Sequence, residues 1–123
     1  MKYICLGYIE PNKFESMSES ERNAMVDECW AYDDELRAKG HFAAGEGLQP
    51  PQTATTLRWK NGKVSITDGP YAETKEQLLG FYVIDVENLD AALDVARQLT
   101  AANPGGAYEI RPIALYQPDK RVS

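Results

Sequence analysis

The order of strand-like and helix-like segments predicts an α+β fold of the ferredoxin-like type, in which two split β-α-β units are joined by a hairpin insertion. Segments 2–9 and 79–86 are apolar at successive positions, which is typical of central strands. Each is followed by a segment with a recognisable helix start, and an Asn-Gly pair lies between the two units. We therefore expect one antiparallel sheet with both helices on one face.

The first helix is the best-marked element of the chain. The first strand is expected to end at Pro11, and Ser18-Glu19-Ser20-Glu21 then fits a capping box, in which the serine and the second glutamate satisfy free backbone N–H groups. The helix is predicted over 18–39 because Gly40 can adopt the left-handed conformation that ends a helix. Its apolar stripe, expected to pack on the sheet, is Met25, Cys29, Tyr32 and Leu36.

Strands account for most of the middle of the chain. Segment 41–48 is predicted as the second strand. Runs 54–59 and 64–67 flank Asn61-Gly62, and both turn residues tolerate positive φ, so a hairpin is expected there. Segment 79–86 is the second strand that is apolar on both faces.

The second half repeats the strand-helix-strand order. Asn88 can cap a helix over 88–102, and 108–113 is predicted as the last strand. Residues 1–116 are expected to form a single domain, and 117–123 a C-terminal tail.

The two doubly apolar strands predict a homodimer. Helices can cover only one face of the sheet, so the other face would expose several large apolar side chains. Packing the open faces of two copies against each other, as in a dimeric α+β barrel, removes this surface from water.

Composition excludes several classes of function. A net charge of −6 disfavours binding to nucleic acid or to an anionic membrane. No apolar segment is long enough for a membrane span, and the two cysteines, Cys5 and Cys29, are those of a protein from a reducing compartment, so we expect a cytoplasmic protein. One histidine and two separated cysteines offer no ligand spacing, so we expect neither a metal nor a cofactor.

A few polar residues stand out as weak catalytic candidates. His41, the only histidine, could be a general base near neutral pH or an ordinary surface residue. Glu46 lies between two glycines, as in a β-bulge or where a ligand approaches the backbone closely. Asp68 opens an Asp-Gly-Pro-Tyr turn, which is explained by turn chemistry or by a loop that holds its neighbours over a site. Glu109 and Arg111 should share one strand face and pair with each other, across a dimer, or with a ligand.

Three sequence segments are distinctive together, namely Asp-Gly-Pro-Tyr-Ala-Glu-Thr-Lys-Glu-Gln-Leu (68–78), Ala-Gly-Glu-Gly-Leu-Gln-Pro (44–50) and Tyr-Glu-Ile-Arg-Pro-Ile (108–113). They resemble the DGPF branch of the YCII-related proteins, with Tyr71 where the motif of that branch has phenylalanine. The resemblance implies a dimeric ferredoxin-like domain of largely uncharacterised function. Some relatives are encoded beside, or fused to, extracytoplasmic-function sigma factors, and others are enzymes, including a dehydrochlorinase. In that enzymatic branch a His–Asp pair with its histidine on the first helix is proposed to be catalytic, but the first helix predicted here contains no histidine.

Two hypotheses about function follow. The first is a cofactor-free small-molecule enzyme or binder with a cleft at the sheet–sheet interface, suited to proton transfer or elimination. Its expected ligand-binding residues are Tyr8, Glu46, Tyr71, Thr74, Lys75, Tyr82 and Arg111. The alternative is an accessory or regulatory protein-interaction module linked to a sigma factor, as the resemblance implies.

Overall fold

A computed structural model of the chain describes residues 1–103 and 105–116, so the predicted tail at 117–123 lies outside the described residues. The elements follow the predicted order with one additional short helix. They are β1 (Lys2–Ile9), α1 (Pro11–Glu15), α2 (Glu19–Ala38), β2 (Phe42–Gly47), a 3₁₀ turn (Pro51–Thr53), β3 (Thr55–Lys60), β4 (Lys63–Asp68), β5 (Gln77–Asp85), α3 (Leu89–Ala101) and β6 (Ala107–Pro112).

Four strands form an antiparallel sheet in the order β2-β5-β1-β6, and β3 pairs with β4 in a separate two-stranded sheet. This confirms the predicted α+β class with antiparallel strands. The strand order is compatible with a ferredoxin-like arrangement, in which the first strand of each β-α-β unit, here β1 and β5, lies at the centre of the sheet.

Local signals place the helix ends close to their predicted positions. The Ser18 side chain accepts a hydrogen bond from the Glu21 backbone N–H, and the Glu21 carboxylate accepts one from the Ser18 N–H, which confirms the capping box. The Asn88 side chain caps α3 by accepting from the Ala91 N–H. The sequence prediction missed α1, because Pro11 was interpreted only as a strand end, although proline is also favoured in the first turn of a helix.

The core lies between one face of the sheet and α3. Alternate residues of β1, among them Tyr3, Cys5 and Ile9, are buried under the helices, while the residues between them are only partly buried. Four side chains of α3 are buried, whereas the 20-residue α2 buries only Leu36. The predicted packing stripe of α2 is therefore fully buried only at Leu36. Tyr32 is partly buried against the core, and Met25 and Cys29 line a cavity.

The pairing of β1 with β5 contains an irregularity that shifts the register. Gly7 is opposite Gly80, but Tyr8 is opposite Leu78, so Leu79 is an extra residue with no partner on β1. Such a bulge re-aims the side chains of the strand on one side of it.

Candidate functional site

A cavity of about 710 Å³ lies between α2 and the sheet, and we call it the helix-face cavity. Helix α2 contributes two adjacent rows of residues with a spacing of four, one of them mostly half-buried towards the sheet and the other exposed. These residues are Met25, Cys29, Asp33 and Arg37 in one row and Val26, Trp30 and Asp34 in the other. The remaining wall is Gly7, Pro11, Phe14, Glu15, Gly45, Glu46, Gly47, Leu48, Pro50, Pro51, Leu79, Gly80, Phe81, Tyr82, Asn103 and Tyr108.

Glycines form part of the floor of the helix-face cavity. Gly47, Gly80 and Gly7 lie opposite one another across β2, β5 and β1. A Cβ atom added at Gly80 would lie 2.7 Å from the Glu46 carbonyl oxygen, and one at Gly7 would lie 3.0 Å from the Tyr108 ring. A Cβ at Gly47 would meet nothing within 4 Å. Gly80 therefore leaves no room for a Cβ beside the backbone, Gly7 leaves room only if the Tyr108 ring shifts, and Gly47 faces open space.

The polar centre of the cavity is a hydrogen bond between a strand and α2. The Tyr82 hydroxyl donates to Asp33 Oδ1 over 2.6 Å, and both residues are partly buried. Burial, followed by the hydrogen bond to Asp33, raises the pKa of Tyr82 well above its usual value. Tyr82 therefore remains protonated at physiological pH and acts as a donor to the carboxylate.

Two further ionisable groups beside this pair are held in their neutral forms. Burial raises the pKa of Tyr108 to about 12. The pKa of Cys29 is also raised, first by burial and then by the nearby charges of Asp33 and Glu28. Because the thiolate is the reactive form of cysteine, Cys29 is poorly suited to be a nucleophile.

The lining of the cavity includes Tyr82 and Glu46 from the set of predicted ligand-binding residues. Glu46 is exposed and lies opposite Phe81, whereas Gly45 lies opposite Tyr82, so the Glu46 side chain is on the other face of the sheet from Tyr82. Tyr8 and Arg111 instead lie towards the opposite face of the sheet, which we call the open face. Tyr8 follows Gly7, which lines the cavity, and Arg111 is opposite Ile4, which alternates with the buried Tyr3 and Cys5. Arg111 donates to Glu109 over 3.3 Å, one of the predicted pairings.

The Asp-Gly-Pro-Tyr loop contacts other surface elements and does not line the helix-face cavity. Tyr71 is exposed and lies under the Arg58 guanidinium, 4.5 Å from the ring centre. Lys75 forms an ion pair with Glu10 over 3.0 Å, which lowers the pKa of Glu10 and raises that of Lys75. The Thr74 hydroxyl donates to the backbone carbonyl of Glu76.

The other two catalytic candidates also lie away from the cavity. His41 is partly buried at the start of β2, and Asp68 is exposed at the end of β4. Neither residue lines the helix-face cavity. The structure therefore does not bring the predicted residues together in one site.

Asp33 is the residue that the sequence prediction missed. It follows Cys29 by four positions, so it extends the row that begins with Met25 and Cys29. A carboxylate on the sheet-facing side of an amphipathic helix is unusual, and this position is the signal that could have identified it.

The described residues hold neither a metal-binding cluster nor a membrane-spanning helix. Residues 1–103 and 105–116 contain no group of three His, Cys, Asp or Glu residues arranged to hold a metal ion. Within the same ranges, no helix has the length and apolar character needed to cross a membrane.

Comparisons with known proteins place the chain in a family. The family model described as YCII-related domain matches residues 1–117. An uncharacterised protein of Rhizobium meliloti (strain 1021) is 43% identical over 124 residues, with 100% of each chain covered. On these two findings, the chain belongs to the YCII-related family.

Proposed function

We propose that the protein binds and acts on a small molecule that occupies the helix-face cavity, with Asp33 as the group that contacts its reacting part. The observation that carries this proposal is the Asp33–Tyr82 hydrogen bond of 2.6 Å within a cavity of about 710 Å³. A largely apolar pocket with a few convergent polar groups is the usual form of a small-molecule site.

The chemistry that suits this pair is cofactor-free proton transfer, including proton abstraction during an elimination. Tyr82 donates to Oδ1 of Asp33, and none of the described residues donates a hydrogen bond to Oδ2. Oδ2 is then the atom that can accept a proton from a ligand, while Tyr82 fixes the orientation of the carboxylate. Asp33 replaces His41 as the proposed base, because His41 lies outside the cavity lining.

The charges around the cavity restrict the ligand to a neutral or cationic molecule. Among the lining residues, the acidic side chains on the helix side of the sheet are Glu15, Asp33 and Asp34, against one basic residue, Arg37. Arg37 already donates to Asp34 over 3.1 Å and lies 4.3 Å from the centre of the Phe42 ring. Because this cation is engaged, an anionic ligand would meet uncompensated negative charge. Aromatic walls from Trp30 and Tyr108 favour an aromatic or a cationic head group.

Binding of three matched probes tests this proposal. Chemical shifts of labelled protein are followed with 2-phenylethylamine, 2-phenylethanol and phenylacetate, which differ in charge on one aromatic body. We expect the amine and the alcohol to shift resonances of α2 and the glycine floor, and phenylacetate to leave them unchanged.

Two variants identify the group responsible. Asp33→Asn keeps the shape of the side chain and should weaken amine binding about tenfold, equivalent to about 1.4 kcal/mol. Asp27→Asn removes a charge from an exposed position of α2 outside the cavity, and should leave binding unchanged. The proposal fails if no probe shifts cavity resonances, or if both variants respond alike.

The predicted homodimer forms part of the proposal. Ile4, Leu6, Tyr8 and Phe81 lie on the open face of the sheet by their pairing register and are partly exposed. Contact with a second copy would remove these apolar side chains from water. The Asp68–Tyr71 motif supports the assignment to the DGPF branch, and a cytoplasmic location and an association with a sigma-factor-linked regulator stay predictions.

A further inference from the structure

One polar group of the helix-face cavity has no part in the proposed function, namely the hydroxyl of Tyr108 on β6. Tyr108 lines the cavity and is partly buried. Its hydroxyl has no hydrogen-bond partner within residues 1–103 and 105–116, whereas the Tyr82 hydroxyl is paired with Asp33. A phenylalanine would fill the same space beside the core, so packing alone does not explain this hydroxyl.

The ring of Tyr108 reaches from the edge strand β6 towards the middle of the sheet. Tyr108 is opposite Gly7 of β1, and Gly7 is opposite Gly80 of β5. A Cβ atom at Gly7 would lie 3.0 Å from Cε1 of the Tyr108 ring and 3.2 Å from its hydroxyl oxygen, so the hydroxyl end of the side chain lies over β1. Because both neighbouring positions are glycines, a ligand on the cavity floor can contact this hydroxyl.

The same hydroxyl lies within electrostatic reach of the proposed base. Burial is the main cause that raises the pKa of Tyr108 to about 12, and the charges of Cys29, Cys5 and Asp33 contribute after it. Tyr108 therefore keeps its proton at physiological pH and is a hydrogen-bond donor, whereas the Asp33 carboxylate is an acceptor. The cavity thus combines an unpaired donor with an acceptor that one small ligand can contact together.

We propose that Tyr108 donates to a carbonyl oxygen of the ligand, and that the cavity takes a neutral carbonyl compound with an acidic C–H bond next to its carbonyl group. This inference rests on the proposed function of Asp33 as a base and names its substrate class. A base that acts on such a C–H bond needs a donor, because negative charge develops on the carbonyl oxygen. Without Tyr108, that charge would face the acidic lining residues Asp34 and Glu15 uncompensated.

The proton and the electrons balance in this step without a cofactor or an oxidant. Asp33 Oδ2 accepts the proton of the C–H bond, and the electron pair of that bond forms a C=C double bond. The π pair of the carbonyl group moves to oxygen, which accepts a hydrogen bond from Tyr108 while Tyr108 keeps its own proton. The total charge of Asp33 and the ligand is unchanged, because Asp33 becomes neutral as the ligand becomes an enolate. Return of the proton to the same carbon gives exchange, and its return to another carbon of a conjugated enolate gives isomerisation.

Exchange of a carbon-bound proton in D₂O tests this inference with the full chain. The probe is 2-tetralone, a neutral ketone with a CH₂ group between its carbonyl group and its aromatic ring. The loss of the CH₂ signal is followed by nuclear magnetic resonance. We expect the protein to accelerate this exchange above the rate in buffer, and Asp33→Asn to abolish the acceleration. Tyr108→Phe should lower the protein-catalysed rate about 100-fold, the usual effect of losing one donor to an oxyanion, but should weaken binding of 2-tetralone by less than about tenfold.

A spectroscopic measurement and a matched variant separate the hydrogen bond from general effects. The infrared C=O stretching frequency of 2-tetralone, labelled with ¹³C at its carbonyl, should fall on binding to the wild type and fall less on binding to Tyr108→Phe. Tyr32→Phe is the control, because Tyr32 is also partly buried, with a pKa that burial raises to about 12, but lies outside the cavity lining. It should leave the exchange rate unchanged.

The outcomes distinguish this inference from the proposed function. If Asp33→Asn abolishes the exchange but Tyr108→Phe slows it no more than Tyr32→Phe does, the role of Tyr108 is overturned and Asp33 remains the base. If 2-phenylethanol shifts cavity resonances but 2-tetralone is not exchanged, the substrate class is overturned and the cavity remains a site for neutral ligands. If no probe binds, both proposals fail.

Discussion

Replacing Gly80 with alanine tests how the floor of the helix-face cavity is built. Gly80 lies at the centre of the glycine row, opposite Gly7 on one side and Gly47 on the other. The new methyl group would lie 2.7 Å from the Glu46 carbonyl oxygen and 3.4 Å from the Gly47 Cα. Both are backbone atoms, so neither can rotate away, and β2 must move relative to β5.

The cost can be bounded from general experience with overpacked sites. Forcing an extra carbon into a close-packed position costs typically 1–3 kcal/mol. Alanine also lowers the entropy of the unfolded chain, which returns about 0.4–1 kcal/mol. We therefore expect Gly80→Ala to lower the free energy of unfolding by about 1–2 kcal/mol. Gly47→Ala is the matched control, since its Cβ meets nothing within 4 Å, and it should be neutral or stabilising by up to about 1 kcal/mol.

Urea unfolding followed by circular dichroism measures both variants. With slopes of about 1–3 kcal/mol per molar urea, the two midpoints should differ by roughly 1 M. Equal midpoints would show that β2 does not approach β5 as closely as the structure indicates, and the account of the cavity floor would be wrong.

Three further predictions use the same unfolding assay. Tyr82→Phe removes the donor to Asp33 and should lower the free energy of unfolding by about 1–2 kcal/mol; an unchanged value would contradict the hydrogen bond. Burial raises the pKa of Cys5 from 9.0 to about 11, so the unfolded state loses its proton first and stability should fall by about 2–3 kcal/mol as the pH rises from 9 past 11. Cys5→Ala should show a shallower fall over this pH range, and an equally steep one would exclude the thiol as its origin. Ser18→Ala should cost about 1 kcal/mol because it removes the helix cap, whereas Ser20→Ala, which leaves the capping bonds intact, should cost little; equal losses would argue against the cap.

Signals local to the sequence predicted most of the fold. The capping box at Ser18 and the Asn88 cap placed two helices to within about a residue, because these hydrogen bonds involve neighbours in the chain. The Asn61-Gly62 turn placed the hairpin, and both residues have positive φ, 52° and 76°. The short helix at Pro11 was missed because proline both ends a strand and starts a helix.

The site was predicted less well because it depends on distant contacts. The partner of Asp33 is Tyr82, 49 positions away in sequence, and no local pattern pairs them. The glycine row is formed by residues of three strands, so the row can be recognised only when the pairing register of these strands is known. The alternation of side chains along β5 predicts that Tyr82 and Phe81 lie on opposite faces of the sheet. It does not predict that the helices leave a cavity beside Tyr82.

The extra residue Leu79 is accommodated within β5 itself, because Gly80 is opposite Gly7 and Leu78 is opposite Tyr8 on either side of it. Deleting this one residue would remove the bulge and make Leu78 adjacent to Gly80, with both partners on β1 unchanged. The segment that precedes Leu78, with its 3.0 Å ion pair between Lys75 and Glu10, would then keep its position. A change of length at Leu79 would thus alter the cavity wall, to which this residue contributes, and leave the connection to the hairpin undisturbed.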